Sequence, residues 1–199
     1  MALTATTKLE AVNTLLTAIG EAPVNSLTSG LVDAETAETI LDSVSREVQS
    51  QGWAFNTNYL QEFTPNSDLQ IAVGPDVLRI DMAENRSTTI DVVARGSKLY
   101  NRATNSFYFE ATAAIKMNTV VVLEFTDLPE SARRYITIRS ARIFQDRVVG
   151  SDLLHGFHQQ DELRALVELK DADSLVNDHN IFDNYSVASV IDRVGGRVL

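Results

Sequence analysis

Between Trp53 and Phe125 the sequence shows no helical period, while on either side apolar residues recur every three to four positions. This switch limits the fold more than any other feature. Strands gathered in one block, with no helix between them, pair antiparallel, because parallel pairing needs crossover connections. The flanking segments read as two helices before the block and two after it. The expected class is α+β: an antiparallel four-helix bundle with an inserted antiparallel β-sheet region. Residues 1–52 and 128–177 would form the bundle, 53–127 the insertion, and 178–199 an extended C-terminal tail.

The first helix is expected over Lys8–Ile19, with Leu9, Val12, Leu16 and Ile19 on one face and Thr7 with Glu10 in capping-box spacing. The second is expected over Ala34–Gln51, capped by Asp33, with Ala37, Ile40, Leu41, Val44 and Val48 as its apolar stripe. Gly52 follows as a stop signal. Period-two segments then read as strands: WAFNTNY, LQIAV, VLRIDM, TTIDVVA, SKLYN, SFYFE and NTVVVLEF, with a hairpin turn at ARGSK. Asp127 and Glu130 have capping-box spacing ahead of a third helix, Pro129 to Val148. A fourth helix runs from Ser151 to about Leu175, with Leu154, Phe157, Leu163, Leu166 and Val167 expected inside. The remainder, NDHNIFDNYSVASVIDRVGGRVL, reads as a tail that orders against a partner.

The third helix is unusual. Tyr135, Ile136, Ile138, Ile143, Phe144 and Val148 surround it, and Arg133, Arg134, Arg139, Arg142 and Arg147 are interspersed. A helix apolar on every side is enclosed by protein. Its arginines then need carboxylates or carbonyls, because an unpaired buried charge is costly. Charge is distributed to match. Residues 130–150 carry a net +3, whereas residues 1–50 and 151–199 carry −5 each, and the chain as a whole −10. Intramolecular or intersubunit ion pairing accounts for these arginines better than binding of a phosphate does.

The same balance opposes non-specific nucleic-acid binding, which requires Lys and Arg to neutralise phosphates. The chain has no cysteine, so disulfides, thiolate catalysis and Cys-ligated metals are excluded. No apolar run approaches the roughly 18 residues of a membrane-spanning helix, and the N-terminus lacks the pattern of a signal peptide.

Candidate chemistry is sparse. His155 and His158, with Asp161 and Glu162, have the spacing of a metal-binding helix face. Gly156 weakens the helix there and His179 is distant in sequence, so a solvated acidic helix explains them more simply. Asp171, Asp173 and Asp178 resemble the start of a calcium loop, but Leu175 and Val176 occupy positions that need an oxygen ligand and a glycine. A carboxylate pair for glycoside hydrolysis would come from Asp81, Glu84, Asp91, Glu110, Glu124 and Asp127. With 27 acids in the chain nothing singles out a pair, so catalytic residues stay unassigned. No cofactor or metal is called for.

The stretch SREVQSQGWAFN, Ser45 to Asn56, marks the passage from helix to strand block. Gly52, Trp53 and Phe55 are expected there as a structural seam, with the single Trp as a buried corner post rather than a ligand-pocket residue.

SREVQSQGWAFN, VVARGSKLYNR and LPESARRYITIRSARIFQDR, in this order, resemble the tail tubular protein A family of short-tailed bacteriophages. The resemblance extends from AVNTLLTAIGEAPVNSL to DELRALVELKDADSL. It implies a structural virion protein, an adaptor or gatekeeper of the tail that is assembled in the host cytoplasm. Such adaptors form a twelvefold ring between the portal and the nozzle of tail tubular protein B, around the DNA exit channel, with tail fibres docking nearby. DNA would pass without specific binding. The alternative is the same protein with an added glycan-hydrolysing activity on capsule or cell-surface polysaccharide.

Overall fold

The computed structural model describes residues 4–83 and 90–176. The expected tail, residues 178–199, and the expected sites Glu84, Asp178 and His179 lie outside the described residues. The element order is α1 (Lys8–Ala18), α2 (Val32–Gln49), a 3-10 turn (Ala54–Asn56), β1 (Thr57–Phe63), β2 (Val77–Met82), β3 (Val92–Arg95), β4 (Lys98–Asn101), β5 (Ile115–Val121), a second 3-10 turn (Phe125–Asp127), α3 (Glu130–Val148) and α4 (Asp152–Val176). The protein is thus mixed α+β, with four helices and antiparallel sheets among the described residues.

The helices are not arranged as four equivalent members of a bundle. α3 is the hub, packing on α1, α2 and α4, while α1 and α2 also pack on each other. The principal contact of α4 is with α3. The helical core contains Val12, Leu15 and Leu16 of α1, Leu41, Val44 and Val48 of α2, and Tyr135, Ile136 and Phe144 of α3. From α4 it takes Ala165 and Leu169. The expected inner face of α4 is largely outside: Leu154 is 38%, Phe157 61%, Leu163 58% and Val167 56% exposed. The buried side instead contains Glu162, Ala165 and Leu169, with Leu166 half-buried, because the arginines of α3 demand a carboxylate on that face.

Two expected caps also differ. Thr7 and Glu10 do form the capping box, Glu10 N donating to Thr7 Oγ1 at 3.2 Å and Thr7 N to Glu10 Oε2 at 2.7 Å. Asp33, however, lies inside α2, whose N-cap is Leu31 without a side-chain bond. α3 begins after Pro129, which has no side-chain acceptor to cap it; Asp127 belongs to the preceding 3-10 turn, and Glu130, as the first helical residue, accepts instead from Thr6 N at 2.9 Å.

The strands form a three-stranded sheet in the order β1-β5-β2 and a hairpin β3-β4, both antiparallel. LQIAV and SFYFE are not strands but touch the hairpin through isolated bridges, Ala72 to Lys98 and Ser106 to Asn101. They supply core side chains all the same. Ile71, Val73 and Phe109 join Val92, Leu99, Ile115 and Met117 in a second apolar cluster, separate from the helical one. Period-two patterning marks the burial correctly here, while the backbones lack a continuous ladder partner.

Candidate functional site: the helix–strand seam and the arginine helix

At the end of α2 the chain turns sharply. Gly52 has φ +79°, and a Cβ there would lie 2.6 Å from Arg79 Nη2 and 3.0 Å from Val120 Cγ2. Glycine is favoured here chiefly by the positive φ; a Cβ would also displace the flexible head of Arg79 and press on Val120. Gly52→Ala is expected to cost about 1–3 kcal/mol through left-handed backbone strain plus that clash, measured by urea denaturation.

Trp53 follows, 7% exposed, in the helical core. Its indole N–H donates to Val48 O at 2.8 Å and its ring stacks on Phe55, centroids 6.5 Å apart. Two buried carboxamides complete the joint. Asn56 Oδ1 accepts from Trp53 N at 2.9 Å, and its Nδ2 donates to Gln49 O at 2.9 Å and Val121 O at 2.8 Å. Gln49 reaches Leu123 from the other side: Leu123 N donates to Gln49 Oε1 at 2.7 Å, and Gln49 Nε2 donates to Leu123 O at 3.0 Å. The last turn of α2 is thereby tied to the chain leaving β5. Neither amide was singled out in the sequence, where Gln49 and Asn56 look like surface residues. Asp173 of α4 adds a tie, accepting from Ala54 N at 2.7 Å.

The five arginines of α3 divide by environment. Arg139 donates to Glu47 of α2 at 2.6 Å, to Glu162 of α4 at 3.2 Å and to the Tyr135 hydroxyl at 3.1 Å. Arg142 donates to the other oxygen of Glu162 at 2.5 Å and to Asp146 at 3.2 Å. His155 Nδ1 lies 2.9 Å from Asp146 Oδ2. A chain of charges thus runs from α2 across α3 to α4, with Glu162 at its centre and only 8% exposed. Burial pulls against the charged form of Arg139, but the Tyr135 hydroxyl, then Glu47 and Glu162, outweigh it and raise its pKa. For Arg142 the Glu162 hydrogen bond is the leading cause of a raised pKa, with burial opposing it.

Arg133 is occupied by carbonyls. It donates to Leu128 O at 2.7 Å, to Thr6 O at 2.8 Å and to Thr126 O, binding the segment before α1 to the start of α3. Arg134 meets Glu168 at 3.6 Å in an exposed pair. Arg147 is exposed and in no ion pair among the described residues.

The remaining sequence candidates are dispersed. His158 lines an open groove of about 440 Å³ between α1, α3 and α4. The groove's two carboxylates, Asp161 and Glu168, each face an arginine, Arg164 at 3.3 Å and Arg134 at 3.6 Å. Among the described residues no group of three or more His, Asp or Glu side chains could hold a metal. Asp171 and Asp173 lie within helix α4, not in a calcium-binding loop. Asp81, Asp91, Glu110, Glu124 and Asp127 are all exposed, and Asp91 pairs with Arg102 at 3.3 Å. No helix among the described residues is long and apolar enough to cross a membrane.

A family model described as tail tubular protein matches residues 9–179, which takes in both helix pairs, the seam and the strand block. The chain belongs to the tail tubular protein family. It is also similar to tail tubular protein A of Klebsiella phage KP34, with 28% identity over 156 residues that cover 78% of this chain and 81% of the relative. It is accordingly a structural protein of a phage tail. In this tail tubular protein the described contacts are of a building kind: ion pairs between helices, amide ties and two apolar clusters.

Proposed function

We propose that this tail tubular protein is the adaptor of the tail, forming a twelvefold ring between the portal and the nozzle built from tail tubular protein B. The ring encloses the DNA exit channel, helps retain and eject the genome, and offers a docking place for tail fibres. The observation that carries this reading is family membership across residues 9–179. Charge supports it, since a net −10 disfavours phosphate contacts and lets DNA slide past without specific binding. In a closed ring each subunit shows different faces to its two neighbours. Arg147 is the arginine of α3 best placed for such a contact, because Arg133, Arg139 and Arg142 are engaged within the chain. The helical part and the strand block act as two units joined at the seam of Gly52, Trp53 and Phe55.

Mixing purified protein with portal protein and weighing the complex by mass photometry tests the reading. Twelve copies per portal are expected, and failure to associate would overturn it. Within that assay, Arg147→Glu is expected to change folding stability by no more than about 0.5 kcal/mol, as for a surface site, and to weaken ring assembly. An unaltered ring would remove Arg147 from the subunit contact.

A further inference from the structure

The described residues present one protruding feature and one concave feature that complement each other. The protrusion is on β1, an edge strand of the three-stranded sheet. The β1–β5 register slips between Asn58 and Gln61, and Tyr59 and Leu60 bulge out there, 64% and 57% exposed. Leu60 has φ +56°, a left-handed conformation that is costly for a bulky residue, and its N–H is held by Asn118 Oδ1 at 3.0 Å. A bulge of this kind spoils the edge for pairing with another strand and re-aims side chains. Glu62 follows two residues on, exposed and in no ion pair among the described residues.

The concave feature is the groove of about 440 Å³ over α3, between α1 and α4. Ile138 and Ala141 of α3 and Ala18 of α1 give it apolar surface, and Thr17 of α1 stands at its side. Its arginines, Arg134 and Arg164, are held only by exposed ion pairs, at 3.6 and 3.3 Å. Exposed pairs contribute little, so both guanidinium groups are free to meet another carboxylate. Phe157 precedes Asp161, Arg164 and Glu168 at i, i+4, i+7 and i+11, so it extends the α4 side of the groove with an exposed ring.

We propose that Tyr59 and Leu60 of one copy seat in the groove between α1 and α4 of the next copy in the ring, with Glu62 meeting Arg164. This contact rests on the ring reading given above and names the surfaces that build it. An apolar patch and a complementary pocket on different faces of one chain make a head-to-tail contact, the kind that closes a ring of identical copies. An aromatic anchored in a pocket is a common centre of such contacts, and the charges around it set the register. The carboxylate of Glu62 supplies the sign that the groove's two loosely held arginines accept.

The test uses the full chain mixed with portal protein. Leu60→Gly removes the protruding side chain and the backbone strain together, because glycine accepts a positive φ. Its Tm should hold or rise, while the concentration that half-fills the ring should increase roughly tenfold, the loss of one anchoring side chain. Assembly like that of the parent chain overturns the proposal. The absence of native cysteine allows a second readout. Copies carrying Leu60→Cys with Thr17→Cys should, on mild oxidation in the ring, link into a ladder of multimers. Leu60→Cys with Thr39→Cys, an exposed site on α2 outside the groove lining, should link less. A full ring with no preference for the Thr17 pair overturns the groove contact and leaves the ring reading standing. Failure of the unsubstituted chain to form a ring overturns both.

Discussion

Replacing Trp53 by alanine should lower stability by about 3–5 kcal/mol, the usual cost of deleting a large buried aromatic and leaving a cavity. The side chain is buried in the helical core, yet it belongs to the first residue after the Gly52 turn, so both sides of the seam lose a packing partner. Phe55 loses its stacked ring, and Val48 O loses the indole donor and keeps only Gln51 N at 3.3 Å. In a chain of this size each kcal/mol moves Tm by about 2–4 °C. The drop should be visible in a thermal scan, and ring assembly should fail with it. Trp53→Phe separates the two contributions, since it keeps a ring and removes the N–H, and should cost only about 1–2 kcal/mol. A Trp53→Ala protein that is stable and still assembles would show that the seam is held elsewhere, with Gln49 and Asn56 sufficient by themselves.

The second large effect is expected at Glu162. Its two oxygens serve Arg139 and Arg142, so Glu162→Ala strands two partly buried guanidinium groups at once. Breaking a buried pair costs about 3–5 kcal/mol, largely from the charge left behind. The arginines keep Glu47 and Asp146, which places the expected loss at about 2–4 kcal/mol. Substituting all three charged residues by apolar ones of similar size should recover much of it, because a buried ionic cluster adds little over good packing. Chemical denaturation of the single and triple variants measures both. If Glu162→Ala proved neutral, the charge chain would be a surface feature, and α4 would be held by Ala165, Leu166 and Leu169 alone.

The α4 result shows where sequence patterning stops being sufficient. Leu163 and Val167 look like core residues by hydrophobicity, but α4 turns the other way so that Glu162 can meet α3. The pairing of a carboxylate on α4 with arginines on α3 is a tertiary fact that periodicity along one helix cannot carry. In α1 and α2 a single clean apolar stripe fixes the buried face, and the reading agrees with the structure. The strand block shows an intermediate case. Alternation in LQIAV correctly marks Ile71 and Val73 as buried, but whether a backbone ladder forms depends on a partner the local pattern does not name. At the helix–strand passage the change of period draws attention to Gly52, Trp53 and Phe55, and the structure shows a positive φ at the first and stacked rings at the other two. Gln49 and Asn56 were not legible, because an amide signals burial only when the backbone groups it satisfies are known. The basic helix was legible as a feature, yet its apolar setting left intersubunit and intramolecular pairing equally open. Four of its arginines, Arg133, Arg134, Arg139 and Arg142, have partners within the chain.

The adaptor reading is tested most directly by electron cryo-microscopy of the assembled tail. The predicted result is a ring of twelve copies directly below the portal and above the nozzle, with the DNA channel through its centre. Density for this chain at any other position in the tail, or in a stoichiometry that does not close such a ring, would contradict the account.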